Sequence, residues 1–179
     1  MIREFDAELN GMLPEVKSHY PGDAMTDNLD DFVIRLQNRI YEEAMAAYGK
    51  TGFERWQNPL YRGTLENPDG YARVRGSCGD TMQIFLRFKD ETVAEAAFQT
   101  DGCATTTVCG SMIAELALGK SPDEIVKITG ETILEMMPGL PEGEKHCAFL
   151  AAETLQAALD QYMKKAFVKP VQVPPTGEK

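Results

Sequence analysis

No apolar stretch of this 179-residue chain reaches the roughly 20 residues that a membrane-spanning helix requires. The longest candidate, Val108 to Leu118, is short and interrupted by Glu115. No apolar h-region follows Met1, where the first ten residues are acidic, so a secretory signal is not expected. Positive charge is also scarce: 18 Lys and Arg against 28 Asp and Glu leave a net charge of −10. Without a basic stripe to neutralise phosphates, nucleic acid is excluded as a partner, and no membrane association is expected. Four cysteines in a chain without a secretory signal point to metal or redox chemistry rather than a disulfide frame. The expectation is a cytoplasmic protein with reduced thiols. There is no internal repeat.

The balance of 43% hydrophobic and 26% charged residues is that of a globular domain able to bury its own core. Residues 1–24, with Pro14, Pro21 and Gly22, read as an irregular leader, and residues 167–179, with three prolines and no periodicity, as a disordered tail. Between them a single domain is expected over 25–166, with its core over about 58–166. Asp27 and Asn28 offer N-caps for an amphipathic helix over about 29–48. Phe32, Val33, Leu36, Ile40, Ala44 and Ala47 share one face of it, and Gly49 ends it. Trp56 beside Phe53 anchors this helix. A turn-rich connection containing Asn58-Pro59, Gly63 and Asn67-Pro68-Asp69-Gly70 follows. Tyr71 to Val74 is a short strand. Thr81–Phe88 alternates, with Phe85 the exception, and Val93–Thr100 does so through Ala94, Ala96 and Phe98, around a turn at Lys89–Thr92. A helix runs from about Ala104 to Leu118 and closes at Gly119. Ser121-Pro122-Asp123-Glu124 starts another, with serine as cap and proline in the first turn. Gly130 and Pro138-Gly139 break the next stretch, and the last helix spans about 145–166.

Chemistry concentrates in three loops: Gly76-Ser77-Cys78-Gly79-Asp80, Asp101-Gly102-Cys103-Ala104 and His146-Cys147. If Phe88 pairs with Val93, Cys78 lies opposite Cys103 and Asp80 opposite Asp101, and antiparallel neighbours have Cα atoms only about 4.5–5.5 Å apart. Cys103 sits just before a helix and Cys147 in the first turn of another, where the helix dipole lowers a thiol pKa. Both thiols are therefore expected to be reactive as thiolates. Three thiolates with one nitrogen or oxygen donor suit tetrahedral zinc, and equally a [2Fe–2S] cluster. Carboxylate is the harder, weaker partner, so Asp80 makes a site that can also let go. Asp80 alone would read as a turn cap; among thiols it reads as a ligand. His146 reads either as an exchange ligand or as a surface residue at a helix start. Cys109, six residues beyond Cys103 and so about 240° around the helix, points away into the core.

In this order the motifs resemble the IscU/NifU family of iron–sulfur cluster assembly scaffolds. The resemblance runs from Asn58-Pro59 through Gly63, Cys78-Gly79-Asp80, Gly102-Cys103-Ala104 and Leu140-Pro141 to Lys145-His146-Cys147, and on to Tyr162. It implies an α+β fold, a small three-stranded antiparallel sheet with helices on one face, here with an extra N-terminal helix. It implies Cys78, Cys103 and Cys147 as ligands of iron or of a [2Fe–2S] cluster, with Asp80 and His146 auxiliary, and zinc in the same site when no cluster is present. It further implies a scaffold rather than an enzyme, a cysteine desulfurase as sulfur donor, apo iron–sulfur proteins as acceptors, an Hsp70-type chaperone, and a homodimer where a cluster bridges two chains. The family's chaperone-binding stretch corresponds only loosely to Leu140-Pro141-Glu142-Gly143-Glu144-Lys145. A zinc-bound sulfur acceptor of the SufU type is the alternative. A cysteine hydrolase is disfavoured, because adjacent His146 and Cys147 do not make a spatial dyad.

Overall fold

A computed structural model describes residues 24–167, so the expected leader and tail lie outside the described residues except at Ala24 and Phe167. The chain divides into two compact units, one ending at Glu43 and the other beginning at Ala44. Helix α1, Ala24–Gln57, runs through both and is broken at Gly49, whose φ of 66° and ψ of 179° are non-helical. The expected helix end is thus a kink: glycine takes the positive φ without a Cβ penalty, and the chain then re-enters the helix. In the first unit Arg39 pairs with Glu43 at 2.9 Å. Phe32, Val33, Leu36 and Ile40, expected on one apolar face, are exposed there, as is Leu29.

The second unit is built on a three-stranded antiparallel sheet, β1 (Gly70–Arg75), β2 (Thr81–Lys89) and β3 (Thr92–Thr100), in that order. Alternation on β2 sends Met82, Ile84 and Leu86 to one face, where all three are fully buried. Helices α2 (Ala104–Ala117) and α5 (His146–Phe167) cover that face, α2 against β3 and α5 against β1 and β2. The opposite face carries Arg73, Gln83 and Gln99 as one cross-strand row. Phe85, the exception to alternation, lies on this second face with its ring 5.0 Å from Tyr71. Phe88 stacks on Tyr162 at 3.7 Å, fastening α5 to the end of the central strand.

Phe88 pairs with Val93 as expected, but Arg87 pairs with Glu95, so Ala94 is an extra residue on β3. This bulge leaves Ala94 and Glu95 both exposed and moves the rest of the ladder by one position. Thr81 therefore meets Asp101, whose N–H donates to the Thr81 carbonyl at 3.3 Å, and Cys78 is not opposite Cys103.

Two short helices, α3 (Pro122–Ile125) and α4 (Gly130–Met136), and a 3₁₀ turn (Glu142–Glu144) connect α2 to α5. Ser121 forms the expected capping box with Glu124. Gly130 opens α4 rather than breaking a helix; its missing Cβ leaves room for the Phe149 ring. Arg55 grips Glu115 through contacts of 2.6–2.9 Å, tying the end of α1 to α2. Among the described residues no helix is long and apolar enough to cross a membrane.

The α2–β3 contact is the tightest of these packings. A Cβ on Gly110 would enter the fully buried Phe98 ring. Gly110→Val is expected to cost about 1–3 kcal/mol through overpacking. A lowered urea midpoint checks this; an unchanged midpoint would show that α2 stands off the sheet.

Candidate metal centre

The open end of the β1–β2–β3 sheet delivers two loops to the N-termini of α2 and α5. In the first loop the Gly79 N–H donates to the Gly76 carbonyl at 3.1 Å and the Gly76 N–H to the Asp80 carbonyl at 2.8 Å. Gly79 takes a φ of 95°, a turn conformation that favours glycine. In the second loop Asp101 Oδ1 accepts the Thr81 N–H at 2.6 Å, and Thr100 Oγ1 donates to the Thr81 carbonyl at 2.8 Å. Gly102 is needed for close approach, since a Cβ would collide with the Asp80 carboxylate.

The result is one cluster of donor atoms: Asp80, Cys103 and Cys147 each present an atom within 4.8 Å of the other two. Cys78 is exposed and stands outside that trio, close enough to Asp80 to favour its carboxylate. His146 Nε2 lies 3.5 Å from Cys147 Sγ. The two side chains converge, against the expectation that neighbours on a helix diverge. All four cysteines are free thiols, and Cys109 is buried in the core as expected.

Thr106 is the residue that motif reading missed. Fully buried one turn into α2, it donates to Asp80 Oδ2 at 2.6 Å and lies 3.3 Å from Cys147 Sγ and 3.5 Å from Cys103 Sγ. Its only sequence signal is spacing: three residues after Cys103 it faces the same side of the helix. The Cys103 N–H also points to Asp80 Oδ2, at 3.3 Å. Behind this layer Tyr48 and Thr105 share a hydrogen bond of 3.1 Å, and Thr105 donates to Glu144. That chain of contacts ties α1 and α2 to the turn preceding His146. Tyr48 carried no signal in the sequence.

The electrostatics differ among the groups. The Thr106 hydroxyl holds Asp80 below the usual carboxylate range; burial opposes this, and the Cys103 amide and the His146 charge assist. For Cys103 burial opposes ionisation, but the Thr106 hydroxyl and the amides at the start of α2 outweigh it, leaving the thiol pKa below its ordinary value. Cys147 departs from expectation. Burial pushes it up to about 12, with only the Thr106 hydroxyl pulling clearly the other way and the nearby thiols adding to the rise. The helix-terminus argument holds for Cys103, which is exposed, and fails for Cys147, where desolvation dominates. Chemically, the arrangement offers one thiol inclined to ionise, one carboxylate held ionised and one thiol that needs a cation to displace its proton.

The family described as NifU-like N terminal domain matches residues 47–169. The iron-sulfur cluster assembly scaffold protein IscU 1 of Archaeoglobus fulgidus is 39% identical over 119 residues, covering 66% of this chain and 78% of that protein. The iron-sulfur cluster assembly scaffold protein IscU of Escherichia coli K12 is 33% identical over 128 residues, covering 69% of this chain and 99% of that protein. Among solved structures, the N-terminal NifU-like protein of Brucella abortus superposes with a TM-score of 0.54 at 24% identity, covering 69% of this chain and 99% of that one, a likeness of fold.

Removing the central hydroxyl is the direct check on this site. In the metal-free chain Asp80 should titrate below an ordinary aspartate, and Thr106→Val should move its pKa upward, because the donor that favours the carboxylate is lost. Carboxyl NMR titration reads this; an Asp80 pKa that does not move would remove Thr106 from the site.

Proposed function

The chain belongs to the NifU-like N-terminal domain family, and from that premise we propose that it is a scaffold on which an iron–sulfur cluster is built and from which it passes to acceptor proteins. The observation that carries this reading is the meeting of Asp80, Cys103 and Cys147 within 4.8 Å from three separate segments. Relatives named as cluster assembly scaffold proteins support it. We assign Cys78, Cys103 and Cys147 as the thiolate ligands of a [2Fe–2S] cargo, with Asp80 and His146 as the groups that complete or exchange the set. The scaffold domain occupies the part of 25–166 that carries these residues.

Sulfur arrives on a cysteine desulfurase as a persulfide. A scaffold thiolate attacks its terminal sulfur, a new S–S bond forms on the scaffold, and the desulfurase thiolate leaves. Cys103 is suited to that attack, being exposed and the thiol whose pKa is lowered. Each sulfane sulfur takes two electrons to become sulfide. For two sulfides, two ferrous ions going to ferric supply two of the four, and an external electron donor supplies the others. Cys147, buried and protonated at rest, becomes a ligand as the incoming cation displaces its proton. Asp80 is the weak member of the set, and its departure opens the cluster to an acceptor's thiolates. The partners are the desulfurase and apo iron–sulfur proteins in a reducing cytoplasm, with an Hsp70-type chaperone at the Leu140–Lys145 turn and a second copy of the chain where a cluster bridges two sites.

A second reading rests on the same distances. Donors around one tetrahedral zinc lie about 3.8 Å apart for Zn–S bonds near 2.3 Å. The 4.8 Å grouping of Asp80, Cys103 and Cys147 is close to that shell, with exposed Cys78 free to swing in as the fourth donor. The protein would then be a zinc-held sulfur acceptor.

Anaerobic reconstitution with iron, cysteine and a desulfurase separates the two. Visible cluster absorption that forms and then passes to added apo-ferredoxin is the expected result; zinc retained with persulfide on a thiol and no cluster would favour the acceptor. Asp80→Ala should make a bound cluster more persistent and slow its transfer, followed by the same absorption, and faster loss would contradict the role given to Asp80.

A further inference from the structure

The face of the sheet turned away from α2 and α5 holds a cavity of about 370 Å³. It is lined by one cross-strand row, in which Arg73 on β1 pairs with Gln83 on β2, and Gln83 with Gln99 on β3. Arg62 and Gly63 line the cavity beside this row, on a segment that bridges β3 at Phe98. The cavity is therefore bordered by two arginines and two carboxamides.

These two arginines differ from the others of the second unit. Arg55 is held by Glu115, Arg75 donates to the Gly79 carbonyl, and Arg87 donates to Glu95 and to the Glu66 carbonyl. Among the described residues, the Arg62 and Arg73 side chains have no hydrogen bond or ion pair. Two unmatched guanidinia beside one cavity, in a chain of net charge −10, are donors for an acceptor that the described residues do not supply. Gln83 adds to these donors, because its Oε1 accepts the Tyr71 hydroxyl at 2.9 Å and its amide N–H groups are left to donate. Asp101 at the rim already accepts the Thr81 N–H, and its charge opposes further negative charge at that edge.

We propose that this cavity is a binding site for a small dicarboxylate, one carboxylate on each of Arg62 and Arg73 and the carbon chain between them across Gln83 and Gln99. Two guanidinium forks set the number of carboxylates at two, and the Asp101 rim disfavours a third. The cavity volume is in the range of small-molecule sites. Its rim residues Thr100 and Asp101 lead directly into Gly102 and Cys103, so an occupied cavity would stiffen the loop that carries Cys103. The site does not depend on the cluster reading.

The test is an NMR titration of the full, metal-free chain with L-malate, beside L-lactate and inorganic phosphate at matched ionic strength. Saturable shifts on Arg73, Gln83 and Gln99 are expected with malate. Arg62→Gln or Arg73→Gln should each weaken malate by about tenfold, the ratio that a loss of about 1.4 kcal/mol produces. Arg87→Gln, on the same face but already paired, should leave malate binding unchanged. Both cavity arginines are exposed, so the variants should retain the parent spectrum. No saturation with malate, phosphate or lactate binding as tightly, or unchanged malate binding in the double variant would overturn the proposal.

Discussion

One hydroxyl joins the three segments that make the site. Thr106 donates to Asp80 Oδ2 at 2.6 Å and touches the sulfurs of Cys147 and Cys103 at 3.3 and 3.5 Å. The Gly76–Asp80 loop has two backbone hydrogen bonds of its own, but its glycines give it extra conformational freedom to lose. Fixing such a loop costs conformational entropy that contacts at its far end help to offset. Thr106 supplies those contacts from a buried position on α2, whose own placement is set by Gly110 against Phe98 and by Arg55 on Glu115. The sheet core therefore reaches the site through one helix turn.

The groups so gathered are in electrostatic tension. A carboxylate held ionised and a thiol inclined to ionise sit beside a third thiol that burial keeps protonated. Three thiolates and a carboxylate together would be a concentration of like charge in a chain already at −10. A cation resolves this, and losing it restores the tension. Binding and release are thus two sides of one balance, which suits a carrier better than a permanent electron-transfer centre. In the proposed function Asp80 is the point of release, and Thr106 and the Cys103 amide already share its charge.

Much of this was legible in the chain. The hairpin, the cap at Ser121, the end of α2 at Gly119 and the start of α5 all follow from local periodicity and turn chemistry, because those signals act over a few residues. The Phe88–Val93 pair was readable too, but the Ala94 bulge was not: an extra strand residue leaves the apolar pattern nearly intact while moving every later pair by one. The broken α1 escaped because Gly49 reads as a helix end whether or not the chain resumes its helix. The pKa of Cys147 was misjudged for a similar reason. Position on a helix is visible in sequence, whereas burial to 1% depends on what packs above it. Thr106 and Tyr48 were missed because threonine and tyrosine announce nothing until the partners they bridge, 26 and 57 residues away, are known.

The central claim is that Cys78, Asp80, Cys103 and Cys147 form one centre, and zinc is the simplest probe of it. Zinc-edge X-ray absorption on the full chain loaded with one equivalent of zinc counts the neighbours directly. The account predicts three sulfur scatterers at about 2.3 Å and one lighter oxygen or nitrogen atom at about 2.0 Å, with the lighter atom altered in Asp80→Ala or His146→Ala. A shell with one sulfur or none would mean that the three loops do not meet at a metal, and the account would fail.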